Sequence, residues 1–436
     1  MNKQILRLAI PSILANITIP LVGLVDTAIV GHISSAVAIG GIAIGTMLFD
    51  LLYWNFGFLR VATSGNTAQA FGQGNHKECM RLLTRSLTIS ILSALVLWAI
   101  QWLFVTAVLA ITPCSVEVAD FARCYFYVRI WAAPATLALM AFKGWFIGMQ
   151  DTISPMVCDI VVNVVNMVAS YYLAVCTPLG AVGVAHGTLI AQYTGLIIAV
   201  VLLLTRYRRY LPLVHFSWSD IRGKDSKQLA QLDARIIVRS LCFMVVYVGY
   251  TAIASSYGDT ELAVSSIVMK LFMLFSYFAD GFAYAAEALV GRFIGEKNPE
   301  KLRLSIRLLI MWSLTVGGLF TIVYAVCGLD SIRLITSDVN VICASQPYLP
   351  WIIAMPIVSV LAFMWDGVFI GATDGIAVRN SMIWAALGFL LGYLALYRWL
   401  GIQALYTAYF IHLIARVVYF FIRWRSIHLV QSIESC

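Results

Sequence analysis

Long apolar runs alternate with short polar intervals along the whole length of this 436-residue chain. A transmembrane helix needs about 20 consecutive, mostly apolar residues, and the apolar runs repeatedly reach that length. Twelve such runs lie at residues 8–32, 36–62, 86–111, 122–148, 154–176, 181–205, 236–257, 262–290, 304–327, 345–371, 381–400 and 402–424. The pattern predicts an all-α polytopic membrane protein with twelve transmembrane helices.

The composition strengthens this prediction. Hydrophobic residues make up 61% of the chain and charged residues 11%, whereas soluble domains are roughly 45–50% apolar and about 25% charged. The first apolar run follows a charged opening, as in a signal peptide, but it continues past Asp26 without a small-residue cleavage site. We therefore expect it to be retained as the first span.

Lysine and arginine residues concentrate in alternate loops. Basic clusters lie at residues 3–7, 77–85, 206–239, 292–307, 379 and 423–425, whereas the other loops hold little more than Arg123, Arg333 and Arg398. Because short cytoplasmic loops carry the excess of Lys and Arg, both termini are predicted to be cytoplasmic. The net charge of +8 then reflects topology and contact with anionic lipid headgroups, and no soluble segment shows the pattern expected of nucleic-acid binding.

The longest polar interval divides the predicted spans into two sets of six. This interval, residues 206–235, is predicted to be a cytoplasmic linker between an N-lobe at 1–205 and a C-lobe at 236–436. Each half contains six spans, so both halves enter the membrane from the same side. A repeat of this kind has its pseudo-twofold axis along the membrane normal, which predicts two pseudo-symmetric six-helix lobes around a central cleft.

Sequence matches at a nearly constant offset support the repeat. The matching segments are "GWFIGMQD" (144–151) with "GVFIGATD" (367–374), "TAQAFGQGN" (67–75) with "VGRFIGEKN" (290–298), and "DTAIVGH" (26–32) with "YTAIASS" (250–256). The first two pairs are offset by 223 residues and the third by 224. Three collinear matches indicate duplication of a six-helix unit, an arrangement that suits alternating access.

Signatures of catalysis and ATP use are absent from the sequence. It contains no HExxH, GxSxG or GxGD motif and no GxxxxGK[ST] loop. The nine cysteines are scattered without metal-ligand spacing, so we expect no metal site and no cofactor. A transporter driven by an ion gradient, rather than an enzyme, is predicted.

Several motifs together resemble one transporter family. They are "LVDTAIVGH", "FLRVATSGNTAQAFGQGN", "GAVGVAHGTLIAQ", "DGFAYAAEALVGRFIGEKN" and "DGVFIGATD". They are similar to motifs of the multidrug and toxic compound extrusion (MATE) family, in its branch named for the DNA-damage-inducible protein F. The resemblance implies a V-shaped pair of six-helix lobes that exports cationic or amphipathic compounds in exchange for protons or sodium ions.

The resemblance also implies a set of site residues in the N-lobe. Asp26 would be the carboxylate that responds to the coupling ion, with Asn163 and Asn166 facing it and Thr188 supplying a hydroxyl group. Many relatives carry an aspartate at the position of Ser170. Because a hard-cation site needs several oxygen ligands, this replacement favours protons over sodium ions.

The cost of a charge in the bilayer gives independent weight to Asp26. A charged side chain at the bilayer centre costs at least about 2.5–3.5 kcal/mol, so such residues usually face a cavity, pair or exchange protons. Asp26 could instead be a hydrated residue or cap near the interface, although Tyr250 occupies the matching position of the second repeat. Pro11 and Pro20 each remove a backbone donor, so they are candidate hinges of the first helix.

Other ionisable residues fall within the predicted spans. Lys143 and Asp366 occupy matching positions of the two repeats and could pair across the lobes or belong to separate structural salt bridges. Asp280 and Glu287 could line the cleft of the C-lobe, or Glu287 could pair within the fold. Arg60 and Arg416 are predicted to be structural anchors.

Histidines titrate near neutral pH and provide alternative proton carriers. The candidates are His32, His186 and His412, of which His186 lies two residues before Thr188. Simple hydrogen bonding is the structural alternative for each of them.

The predicted function is export of cationic or amphipathic organic compounds by proton antiport. The alternatives are a sodium-coupled exporter and a flippase for lipid-linked sugars or cell-wall precursors, whose cavity should be cationic. The expected partners are small organic substrates, the coupling ion and the lipid bilayer, without nucleic acid. We expect a monomer in the bacterial inner membrane.

Overall fold

Helices account for nearly all of the described chain. The computed structural model describes residues 1–33, 36–112, 114–214, 224–333, 335–336 and 338–426. In chain order the α-helices are α1 (Asn2–Ile33), α2 (Ala36–Tyr53), α3 (Phe58–Gly72), α4 (His76–Ile111), α5 (Val116–Arg129), α6 (Ala133–Gly148), α7 (Ile153–Val175), α8 (Val182–Arg206), α9 (Lys224–Ser255), α10 (Asp259–Gly295), α11 (Pro299–Arg333), α12 (Val339–Ser345), α13 (Leu349–Gly371), α14 (Gly375–Leu400) and α15 (Gln403–Ser426). No strand occurs in these ranges.

The described residues contain twelve helical segments long and apolar enough to cross a membrane. They are Asn2–Gly23, Val37–Gly72, His76–Ile111, Val116–Gly148, Ile153–Val175, Val182–Arg206, Leu229–Ser255, Asp259–Gly295, Pro299–Arg333, Val339–Gly371, Gly375–Leu400 and Gln403–Trp424. The predicted all-α fold with twelve spans is confirmed. Several helices extend beyond the predicted apolar runs, because polar residues at helix ends also adopt helical structure.

Large apolar side chains remain exposed on many of these helices. Trp102 on α4, Val326 on α11 and Trp399 on α14 are 67%, 79% and 85% exposed, respectively. Soluble proteins rarely leave large contiguous apolar areas in water, whereas lipid accepts them. The exposed side chains therefore fit helices that contact a bilayer.

The chain divides into two compact units. Unit 1 comprises Met1–Ile13 and Ala230–Cys436, and unit 2 comprises Leu14–Leu229. The division falls within α1, so the first turns of that helix belong with the second half of the sequence. The lobe boundaries at 205 and 236 stay a prediction.

Each unit has its own core. In unit 1, an aromatic group includes Tyr250 on α9, Tyr348 directly before α13, and Tyr406 and Tyr409 on α15. In unit 2, the fully buried Trp145 donates its indole Nε1–H to the carbonyl of Cys79 at 2.8 Å. These buried rings fix α6 against α4 in unit 2 and α9 against α15 in unit 1.

The sequence repeat is also visible in the backbone. Eight described residues have positive φ angles, and four of them form two pairs separated by 223 positions: Gly74 (φ 69°) with Lys297 (φ 52°), and Gln150 (φ 64°) with Thr373 (φ 56°). Each turn precedes a helix, and an Asn or Asp side chain at the start of that helix accepts a backbone amide from its first turn. These bonds, 3.0–3.1 Å long, join Asn75 to Glu78, Asn298 to Lys301, Asp151 to Ser154 and Asp374 to Ala377.

Close backbone contacts repeat at the same interval. Gly144 on α6 lies against the carbonyl of Arg60 on α3, and Gly367 on α13 lies against the carbonyl of Ala283 on α10. A Cβ at either glycine would overlap that carbonyl group. The two units therefore share helix contacts as well as turns, which explains why the "GxFIGxxD" pattern occurs twice.

We expect Gly144→Ala to lower the free energy of unfolding by about 1–3 kcal/mol, because overpacking of a close contact forces the backbone apart. Gly318→Ala is the matched control, since a Cβ at this helical glycine meets nothing within 4 Å. The control should be neutral or stabilising by up to about 1 kcal/mol. Thermal unfolding of the purified proteins measures both changes, and equal effects of the two substitutions would contradict the contact.

Candidate functional site

Asp26 lies near the end of α1, where it is half-buried. Its Oδ1 atom is buried and has no hydrogen-bond partner within the described part of the chain. Arg129, at the end of α5, interacts electrostatically with this carboxyl group. Asp26 is therefore partly withdrawn from water beside a positive charge.

Arg129 connects Asp26 to a second acid. The guanidinium also interacts with Asp50 on α2, donates to the hydroxyl of Tyr125 at 3.1 Å and lies 4.7 Å from the ring centroid of Phe49. We call Asp26, Asp50 and Arg129 the Arg129 cluster. The charge of Arg129 acts on both carboxyl groups, so the cluster carries one negative charge when both acids are ionised.

Arg129 is not among the site residues predicted from the sequence. It lies within the apolar run at residues 122–148, and an arginine inside a predicted span usually has a partner or a function. That signal was available in the sequence. The identity of the facing acids was not, because it depends on how α5 packs against α1 and α2.

The polar residues predicted on α7 and α8 form a hydrogen-bonded network. Asn166 donates its amide to the hydroxyl of Thr188 at 3.0 Å and accepts from Ser170 at 3.2 Å, and all three side chains are buried. Asn163 donates to Thr18 on α1. Four of the predicted residues thus lie along one polar surface between α7 and its neighbours.

Among the described residues, the two asparagines have hydrogen-bond partners other than Asp26, so the expected facing of Asp26 stays a prediction. Thr18, the partner of Asn163, precedes Asp26 by eight residues, which corresponds to about 12 Å along a helix. Within the described part of the chain, the hydrogen bond to Thr18 therefore places Asn163 about two helical turns from Asp26 along α1, and Asn166 bonds to α8.

The candidate histidines have different environments. The Nδ1 atom of half-buried His186 lies 3.2 Å from the carbonyl of Val182 on its own helix. His412 is 1% exposed and stacks on the ring of Tyr409. The side chain of His32 lies outside the described residues. The contact of His186 matches the simple hydrogen bonding considered as its alternative role.

Lys143 and Asp366 each have a partner within their own unit. Lys143 on α6 pairs with Asp159 on α7. Asp366 on α13 pairs with Arg239 on α9 at 2.5 Å and with Arg416 on α15 at 2.6 Å. These pairs agree with the structural alternative considered for both residues rather than with a Lys143–Asp366 pair.

The other predicted positions have mixed settings. Glu287 on α10 is 1% exposed, and its backbone carbonyl lies against Gly371 on α13. Asp280 on the same helix is half-buried. Helix α1 continues through Pro11 and Pro20, so their role as hinges stays a prediction.

Carboxylates at the ends of the repeated motifs form a further polar site. Asp151 accepts from Ser154 Oγ at 2.6 Å and from the hydroxyl of Tyr207 at 2.8 Å, and it pairs with Arg206 at 3.2 Å. Burial, together with the Asp151 charge, raises the pKa of the Tyr207 phenol, so the phenol remains a hydrogen-bond donor. These contacts tie the start of α7 to the end of α8.

The repeat places a similar pair in unit 1. Asp374 at the start of α14 pairs with Arg423 near the end of α15 at 3.3 Å. The final aspartate of each "GxFIGxxD" motif therefore accepts a backbone amide at the start of a helix and forms an ion pair with an arginine. In the part of the chain that the structure describes, no three His, Cys, Asp or Glu residues are grouped to hold a metal ion, and eight cysteines are free.

Known sequences match this chain over most of its length. The MatE family model matches residues 11–172 and again residues 236–397, so the two halves match the same model. The DNA damage-inducible protein F of Escherichia coli K12 is 34% identical over 427 residues, which cover 97% of this chain and 92% of that protein. The human Multidrug and toxin extrusion protein 1 is 22% identical, covering 96% of this chain and 73% of its own length.

Solved structures show the same fold. A MOP superfamily transporter from Pyrococcus furiosus superposes with a TM-score of 0.89 at 18% identity, covering 98% of this chain and 96% of its own. A multidrug resistance MATE transporter in an outward-facing conformation gives a TM-score of 0.87 at 17% identity, covering 100% and 97%. The twice-matched family model and the E. coli relative together establish that this chain belongs to the MatE family of membrane transporters.

Proposed function

We propose that this protein exports small organic compounds across the bacterial inner membrane by exchanging them for protons, with Asp26 as the coupling residue. Membership of the MatE family and similarity to proteins named for multidrug and toxin extrusion support export. The sequence lacks a nucleotide-binding loop, so an ion gradient is the energy source that we propose. Both termini would lie in the cytoplasm, as the distribution of Lys and Arg suggests.

The environment of Asp26 is the observation that carries the proposal. Its Oδ1 atom is buried without a hydrogen-bond partner among the described residues, and the nearby Arg129 also interacts with Asp50. Asp366 differs, because two guanidinium groups bond directly to its Oδ2 atom. A carboxylate with incomplete compensation loses less on protonation than one held by two arginines.

The proposed cycle uses the charge of Asp26. Ionised Asp26 attracts a cationic or polar group of the cargo, and arrival of a proton removes that attraction and releases the cargo. The polar side chains of Asn163, Asn166, Ser170 and Thr188 would contact the cargo or water in unit 2. Glu287 and Asp280 would supply acidic groups in unit 1, and Pro11 and Pro20 would allow α1 to bend as Asp26 changes charge.

Protons rather than sodium ions fit the groups on α7. Ser170 contributes a hydroxyl that bonds to Asn166, where an aspartate would contribute a charged oxygen. Sodium is a hard cation, and hard cations are bound by several oxygen ligands at once. Asp26 alone can take up a proton without further ligands, so the proton is the coupling ion that we propose.

Asp26→Asn should abolish export while leaving the protein inserted and folded, because the amide cannot take up and release a proton. Drug resistance of cells that express each variant at equal membrane levels measures the loss. Asp120→Asn is the matched control, since Asp120 forms only a surface pair with Arg123 at 2.9 Å and is 62% exposed. Resistance of the Asp26→Asn strain equal to that of the wild type would refute the role of Asp26.

Purified protein in liposomes should drive uptake of a fluorescent organic cation when an inside-acidic pH gradient is imposed. An inward or outward sodium gradient at uniform pH should give no uptake above protein-free liposomes. The two gradients are applied to one preparation, with the Asp26→Asn variant as the inactive reference. Uptake that follows the sodium gradient would establish sodium coupling instead.

A further inference from the structure

Asp366 lies at the centre of a charged cluster inside unit 1. Arg239 on α9 and Arg416 on α15 each donate an Nη2–H to the same atom, Asp366 Oδ2, at 2.5 and 2.6 Å. The side chains of Asp366 and Arg416 are 7% and 4% exposed, whereas that of Arg239 is 23% exposed. We call these three residues the Arg239 cluster, and its accessible edge is Arg239.

The cluster holds more positive than negative charge. Two guanidinium groups face one carboxylate, which gives a net charge of +1 because arginine stays protonated in proteins. An uncompensated buried charge is costly, and removing one partner of a buried pair is typically strongly destabilising. The ring of Phe363, with its centroid 5.8 Å from the Arg416 guanidinium carbon, contributes only weak compensation.

Hydrogen-bonding capacity in the cluster is also unused. The Nε atoms of Arg239 and Arg416, two donors, and the Oδ1 atom of Asp366, one acceptor, are buried and have no hydrogen-bond partner within the described residues. A guanidinium presents adjacent N–H groups whose spacing matches the two oxygens of a carboxylate or phosphate. Because both arginines use Nη2 on a single oxygen, each retains an Nε–H donor for a second acceptor.

The repeat shows that this charge excess is peculiar to unit 1. The position matching Asp366 in unit 2 is Lys143, which forms a one-to-one pair with Asp159. In unit 2, residues 14–20 of α1 and residues 190–200 of α8 contain no arginine, so Arg239 and Arg416 have no arginine counterparts there. The duplicated framework is therefore stable without two arginines at these positions, so structural need alone does not account for both.

We propose that Arg239 and Arg416 form a binding site for an oxyanion, which enters beside Arg239 and neutralises the cluster. The ligand would be the carboxylate of an organic substrate or a free inorganic anion such as phosphate. The site concerns binding alone, so it stands independently of proton exchange at Asp26. If the ligand is an organic substrate, the site adds amphiphiles that carry an acidic group to the cationic or amphipathic compounds that the resemblance implies.

Binding of a matched pair of ring compounds tests the site. Radiolabelled 2-naphthoate and its uncharged analogue 2-naphthamide are titrated separately against the full-length protein in nanodiscs, with empty nanodiscs as background, and labelled inorganic phosphate is titrated in parallel. We expect an oxyanion to bind more tightly than 2-naphthamide. Preference for 2-naphthoate identifies an organic carboxylate as the ligand, and binding of phosphate alone identifies a free inorganic anion.

Two substitutions should change oxyanion affinity in opposite directions. Arg239→Gln removes the excess positive charge and an accessible donor, so affinity should fall about tenfold or more, the usual scale for a charge-assisted hydrogen bond. Asp366→Asn removes the competing carboxylate and should raise affinity. Thermal unfolding of each variant checks that it is folded, and if Asp366→Asn does not fold, the Arg239→Gln result decides.

Arg423→Gln is the matched control. Arg423 belongs to the same unit and pairs with the carboxylate of Asp374 at 3.3 Å, but its pair has one charge of each sign. Its loss should leave 2-naphthoate and phosphate binding unchanged. The proposal is overturned if neither anion binds, if 2-naphthamide binds as tightly as 2-naphthoate with no phosphate binding, or if Arg239→Gln binds the anions like the wild type. Failure of drug export with intact anion binding would affect only the proposed function.

Discussion

An ionisable side chain inside an apolar helix is stable in its charged form only beside an opposite charge or near water. Otherwise a carboxylate becomes neutral by taking up a proton. This constraint explains much of the charge distribution in the chain. The positive charge of Lys143 is neutralised by Asp159, and the negative charge of Asp366 is paired with two positive charges, those of Arg239 and Arg416. Among Asp26, Asp159 and Asp366, the charge of Asp26 is the least well compensated, because the positive charge of Arg129 acts on Asp50 as well.

Duplication supplies a common framework on which these charges differ. The left-handed turns, the N-caps and the close contacts of Gly144 and Gly367 recur 223 residues apart. The position that matches Asp26 is Tyr250, which is 2% exposed and donates to the carbonyl of Ser265 at 3.3 Å. The duplicated backbone thus holds a carboxyl group in unit 2 and a core aromatic residue in unit 1, so the two units can have different roles in transport.

Local sequence predicted the features that depend on local physics. The length of apolar runs determined the number of spans, and the motif ending at Asp151 and Asp374 reflected a turn that each unit needs. The identity of the ion-pair partners was harder to predict from the sequence. Arg129 and Arg239 lie far along the chain from the acids on which their charges act, and Asp159 lies on the helix that follows that of Lys143; in each case only the packing of the helices brings the charges together. The expected facing of Asn163 and Asn166 toward Asp26 stays a prediction for the same reason, since it depends on how α7 packs against α1, where Asn163 donates to Thr18.

The central claim is that the Asp26 carboxyl group takes up and releases a proton. Infrared difference spectroscopy between acidic and alkaline buffer tests it most directly, because a protonated carboxyl group has a C=O stretch distinct from that of a carboxylate. In the wild-type protein, a carboxyl band should appear on acidification and should be missing from the spectrum of Asp26→Asn. A difference spectrum that is identical in the two proteins across the pH range of transport would contradict the claim.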